Sequence, residues 1–161
     1  MDMDILSLAR FFVTLGFLIA ASREDLKTRM VDDRYWQILG AVGLCLLAGE
    51  MLKDGAEAAH YLLLFPIGLL FYDPYIDREP IFDKVEFCWP ANAAFAAAGA
   101  ASGCAVYLGG LTPLLIIPAM FLLVYVLYFT NVIHGGADAK ALMTIALVLP
   151  WYPALPGLPL V

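Results

Sequence analysis

Apolar residues fall in six blocks along the chain, at 5–21, 35–52, 60–72, 91–108, 111–131 and 139–151, with polar stretches between them. Within each block the apolar run is continuous instead of alternating. That pattern predicts helices that are apolar around most of their circumference, of the kind that cross a bilayer whose hydrocarbon core takes roughly 20 helical residues. The third and sixth blocks are short for that task and need either flanking residues or a thinned bilayer. The fourth, ANAAFAAAGAASGCAVYLGG, is rich in Ala, Gly and Ser. Small residues of that kind let helices approach closely. The expectation is an all-α, polytopic membrane helix bundle of about six transmembrane helices in one domain spanning 1–161. Its apolar end, PWYPALPGLPLV, is abrupt and leaves open that the chain is part of a longer one.

Composition agrees with the pattern. The 161 residues are 63% hydrophobic and 15% charged, with a mean hydropathy of +0.83, whereas soluble domains run nearer a quarter charged. The first block begins beside Asp2 and Asp4 and has no convincing cleavage site, so it reads as a retained span and not a secretory signal. Cys45, Cys88 and Cys104 lie far apart with no CxxC spacing, which suits packing residues better than a zinc site or a disulfide framework. A net charge of -6 argues against nucleic acid as a partner.

The polar loops set the sidedness. The stretch SREDLKTRMVDDR carries Arg23, Lys27, Arg29 and Arg34, four of the nine basic residues. The positive-inside rule makes this loop cytoplasmic and puts the N-terminus outside. Counting spans onward, the loops at 73–90 and 132–138 are cytoplasmic too. Asp25 and Asp138 therefore reach the same face, although a hundred residues separate them.

Two aspartates at one membrane face are a recognisable chemical constellation. Peptide hydrolysis by paired carboxylates needs one neutral acid and one ionised base, and close carboxylates cannot both ionise. The ionised member activates a water, and the protonated one polarises the scissile carbonyl. Asp138 sits in HGGADAKALM, where Gly135 and Gly136 loosen the chain at the head of the sixth apolar block and Lys140 is the one obvious ion partner nearby. A helix start favours a negative charge there, although an N-cap alone would also account for an Asp at that place. Asp25 follows the first block, where the chain is expected to leave its helix, and a solvated charge is its bland alternative. His134 is an interfacial histidine with the same bland alternative, and His60 falls on the opposite face.

The segments DLKTRMVD (25–32) and GGADAK (135–140) resemble the two signatures of the type IV prepilin peptidases, including the archaeal preflagellin peptidases. The resemblance implies a membrane aspartic endopeptidase working at the cytoplasmic face on the leader of a pilin- or archaellin-like precursor. It implies Asp25 and Asp138 as catalytic residues, with Arg29, Gly135, Gly136 and Lys140 in support, and no cofactor or metal. Ala137 stands where the family has the glycine before Asp, and the Ile-Pro of the first motif is absent. The zinc-binding cysteine insert of the larger bacterial enzymes is missing too, so no methyltransferase activity is carried over.

Three other readings compete. Presenilin-like intramembrane proteases place Tyr-Asp in one span, GxGD in the next, and Pro-Ala-Leu later. Tyr72-Asp73 and Pro153-Ala154-Leu155 imitate those strings at the wrong spacing, which leaves Asp73 as a second choice for the partner of Asp138. A transporter or channel would put its aspartates in mid-span and show an inverted repeat, and neither is visible. A non-catalytic assembly protein would keep the fold without activity. The acidic loop 73–90 reads as a solvated connector or as a rim that draws in a basic leader.

Overall fold

The structure, a computed structural model, describes residues 5–75 and 89–150. Most of the acidic loop, Cys88, and the Pro153-Ala154-Leu155 string lie outside the described residues. Those residues form six α-helices and no strand: α1 (Ile5–Thr28), α2 (Asp33–Lys53), α3 (Leu64–Tyr72), α4 (Trp89–Gly109), α5 (Ile116–Phe129) and α6 (Gly136–Val148). Short 3-10 turns lead into α3 at Ala58–Leu63 and into α5 at Pro113–Leu115, and one follows α3 at Asp73–Tyr75. Each apolar block predicted from the sequence overlaps one helix, and α1, α2, α4 and α6 run past the ends of theirs. By length and composition, α2 is the one helix among the described residues long and apolar enough to cross a membrane; Ala93–Gly109 and Pro113–Phe129 are shorter apolar stretches.

The first helix departs from expectation. It continues through the polar residues 22–28 to Thr28, because SREDLKT holds no Gly or Pro and consists mostly of adequate helix formers. Asp25 thus lies inside the last turns of α1, and the backbone leaves the helix at Arg29, whose φ is 54°. The Arg29 N–H still donates to the Asp25 carbonyl at 2.7 Å. Three residues on, the Asp32 carboxylate caps α2 by accepting from the Arg34 N–H at 2.9 Å.

The core is built by α2 to α6. Leu47, Met51, Ile67, Phe71, Ala105, Ile117, Phe121, Val124, Met143 and Leu147 form one buried cluster, and none of its members comes from α1. Glycines on α2 let its neighbours close in. A Cβ at Gly40 would run into the Phe71 ring, and one at Gly43 would stand 2.8 Å from Val148 and 3.2 Å from Leu147. Outside the core, large apolar side chains face outward, Phe12, Ile19, Tyr107, Leu122 and Phe129 among them. A surface of that kind needs an apolar surrounding or a partner.

What holds α1 is partly polar. Arg10 is buried and its Nη1 lies 2.7 Å from Oε2 of Glu50 on α2, an ion pair well removed from the Asp25 end of the helix. Thr14, also buried, donates to the Arg10 carbonyl at 2.7 Å.

Candidate active site

Leu18, Ala21, Ser22 and Asp25 recur at helical spacing and put one stripe of α1 toward α2 and α6. The facing stripe on α6 is Ala137, Asp138 and Ala141. Together with Val31 and Trp36 these residues line a single cleft of about 200 Å³. The alanines and the serine leave the space open, since larger residues there would fill it. Asp25 and Asp138, both solvent-exposed, thus share one cleft although 113 positions apart (138 minus 25). The volume suits a few waters and a peptide group, at roughly 30 Å³ per water, and falls short of the roughly 300 Å³ or more of pockets that enclose larger ligands.

The other predicted residues fall differently. Asp73 does not line this cleft, and neither does His134. Arg29 terminates α1 in the left-handed region and also lies outside the lining. Lys140 is not an ion partner of Asp138. Its Nζ donates instead to both carboxylate oxygens of Asp33 on α2, at 2.6 and 2.7 Å. Two residues along a helix point a side chain to the far flank, so a Lys at 140 cannot fold onto 138 without leaving α2. The same ammonium lies 4.9 Å from the centroid of the Tyr75 ring, a cation–π distance. Burial first, and the Asp33 carboxylate second, push the Tyr75 phenol above its ordinary range.

The glycines also have a different task from the one the sequence suggests. Neither Gly135 nor Gly136 takes a positive φ; among non-glycine residues of this turn, Asn131 does, at 56°. Gly135 caps α6 in extended backbone, φ -98° and ψ 121°, which any residue can adopt. Its value lies in the missing Cβ, which would stand 2.5 Å from Oδ2 and 3.1 Å from Cγ of Asp138. Gly136 is under no such constraint, its nearest neighbour being the Tyr128 hydroxyl at 3.8 Å. Gly135 thus supplies room for the carboxylate, not flexibility.

Trp36 and Asp33 escaped the reading of the sequence. Nothing in the sequence sets Asp33 apart from its neighbour Asp32, and a Trp at the second position of an apolar block carries no signal beyond packing. His60, left out on topology, binds at the opposite end of the bundle: its Nε2 lies 2.9 Å from the Gly109 carbonyl. Among the described residues no three His, Cys, Asp or Glu side chains come together as metal ligands would; Cys45 and Cys104 are free thiols.

Comparison with known proteins adds one finding. Residues 12–160 match the profile of the type IV leader peptidase family, over nearly the whole chain and both aspartate segments. No curated protein and no solved structure was found to match.

Proposed function

The chain belongs to the type IV leader peptidase family, and from that premise we propose that it is a multi-pass membrane aspartic endopeptidase removing the leader of pilin- or archaellin-like precursors. The family implies a peptidase acting on a precursor protein; the aspartic mechanism and the cytoplasmic face are our reading. One observation carries it: Asp25 and Asp138, far apart in sequence, line the same small cleft. The outward apolar side chains support a bilayer setting, and the basic residues Arg23, Lys27, Arg29 and Arg34 at the junction of α1 and α2 support an outside N-terminus and a cytoplasmic site.

In this mechanism one carboxylate, assigned to Asp138 at the positive start of α6, takes a proton from a water held between the pair. The water oxygen attacks the scissile carbonyl carbon while the protonated Asp25 gives its proton to the carbonyl oxygen. The tetrahedral intermediate then collapses, the C–N bond breaks, the proton held by Asp138 goes to the leaving amine, and a hydroxyl proton of the intermediate returns to Asp25 as the new carboxyl group forms. No cofactor is required. The cleft holds little more than a peptide group and a few waters, so the scissile peptide and the attacking water would fill it.

The test is cleavage of a prepilin-type precursor by membranes containing the protein, read as a leader-sized mobility shift. Asp25→Asn and Asp138→Asn should each abolish the shift, and the double variant should be no worse than either, since the two act as one unit. Asp73→Asn should still cut. Cleavage that survives Asp25→Asn and is lost in Asp73→Asn would transfer the partnership to Asp73 and overturn the assignment.

A further inference from the structure

Trp36 stands in the wall of the cleft with only 4% of its surface exposed. Its indole N–H is buried and has no hydrogen-bond partner among the described residues. A buried donor left unpaired is destabilising, and tryptophans at such places normally find an acceptor. Three side chains that can accept line the same cleft, the Ser22 hydroxyl and the carboxylates of Asp25 and Asp138, and the carboxylates are the stronger acceptors.

Packing decides between them. Trp36 on α2 and Asp138 on α6 share one frame. Lys140 pins α6 to Asp33 at the cleft end of α2, and farther along Gly43 lies tight against Leu147 and Val148. Two helices held at both places do not slide past each other. By contrast, α1 contributes nothing to the core cluster, and an element with few buried apolar contacts is the one that moves at low cost. Asp25 is therefore the carboxylate free to approach the indole.

We propose that Trp36 is a positioning residue for Asp25: when the cleft contracts around a substrate, α1 moves onto α2 and α6 and the Trp36 indole N–H donates to the Asp25 carboxyl. The contact satisfies the orphan donor and fixes which carboxyl oxygen faces the water. In the open cleft the donor stays unpaired, so its burial favours closure once a substrate supplies the rest of the contacts. The inference rests on the paired-carboxylate reading, and it assigns Trp36 no contact with the reacting atoms.

Two measurements test it. Trp36→Phe keeps an aromatic ring and removes the N–H, and should lower kcat roughly tenfold, about the worth of one hydrogen bond to an acidic group, with KM little changed. The second needs no substrate. In full-length protein whose native cysteines are replaced by alanine, Ser22→Cys and Ala141→Cys allow a short cross-linker to draw α1 onto α6. The Trp36 indole proton resonance should then move downfield, and should not do so when Asp25→Ala is added. Full kcat in Trp36→Phe overturns the proposal. So does an indole resonance that stays put on bridging, or that moves equally in Asp25→Ala. If the unaltered protein cuts no precursor, the peptidase reading fails by itself, and the resonance of the bridged cleft still decides whether the indole meets Asp25.

Discussion

Replacing Gly135 by alanine isolates the position of one carboxylate from everything else in the fold. The backbone at 135 is extended, so an alanine fits there without strain, and its loss as a cap costs only about 1 kcal/mol. The new methyl, however, would start 2.5 Å from Oδ2 of Asp138, where ordinary contact begins near 3.4 Å. The oxygen must retreat by about 0.9 Å. A misplacement of that size at a reacting group costs on the order of a hundredfold in rate. Gly135→Ala should therefore reduce kcat by about two orders of magnitude with nearly unchanged thermal stability. Gly136→Ala supplies the control, because its Cβ meets the Tyr128 hydroxyl at a comfortable 3.8 Å, and alanine at the first position of a helix stabilises by up to about 1 kcal/mol. The assay is precursor cleavage in membranes beside a melting curve in detergent. Wild-type turnover in Gly135→Ala would refute the reasoning, as would equal losses in both variants.

Breaking the buried ion pair by Glu50→Ala should destabilise by about 3–5 kcal/mol, because it leaves Arg10 charged and unpaired. Arg10→Leu combined with Glu50→Leu should recover most of that in the same melt. Precursor cleavage should fall on both sides of a pH optimum, since one carboxyl must be protonated and the other ionised; a monotonic rise with pH would indicate a single base. Tyr75 gives an alkaline signature. Its native phenol is pushed above the ordinary value of 10.0, by burial first and Asp33 second, so folding binds its proton more tightly. That contribution is complete below pH 10 and is lost as pH rises beyond it. The melting midpoint of Tyr75→Phe should accordingly fall less steeply between pH 10 and 11 than that of the unaltered protein.

How much of this was legible in the sequence depends on the kind of signal. Continuous apolar blocks located all six helices, because apolar length is a property of each segment by itself. They misplaced the end of α1, because hydropathy fades at Ala21 while helical propensity continues to Thr28. Counting spans put Asp25 and Asp138 at one expected face, and the structure places both in the lining of one cleft. What the sequence withheld was tertiary. Lys140 and Asp33 lie 107 positions apart, and nothing in either segment marks the other as its partner. Gly135 looked like a hinge because glycine usually signals backbone freedom, whereas here the missing side chain makes room for a neighbour. Trp36 is indistinguishable in the sequence from any aromatic packing residue.

The buried Arg10–Glu50 pair has a mechanical consequence. It grips α1 at the end opposite the cleft, and 15 residues of helix separate Arg10 from Asp25, a rigid arm of about 22 Å at 1.5 Å per residue. An arm of that length multiplies small rotations: a tilt of about 5° around the pair sweeps Asp25 through about 2 Å. The pair is then a fulcrum for the far end of α1, and stiffening or loosening that joint changes how far Asp25 travels in its cleft.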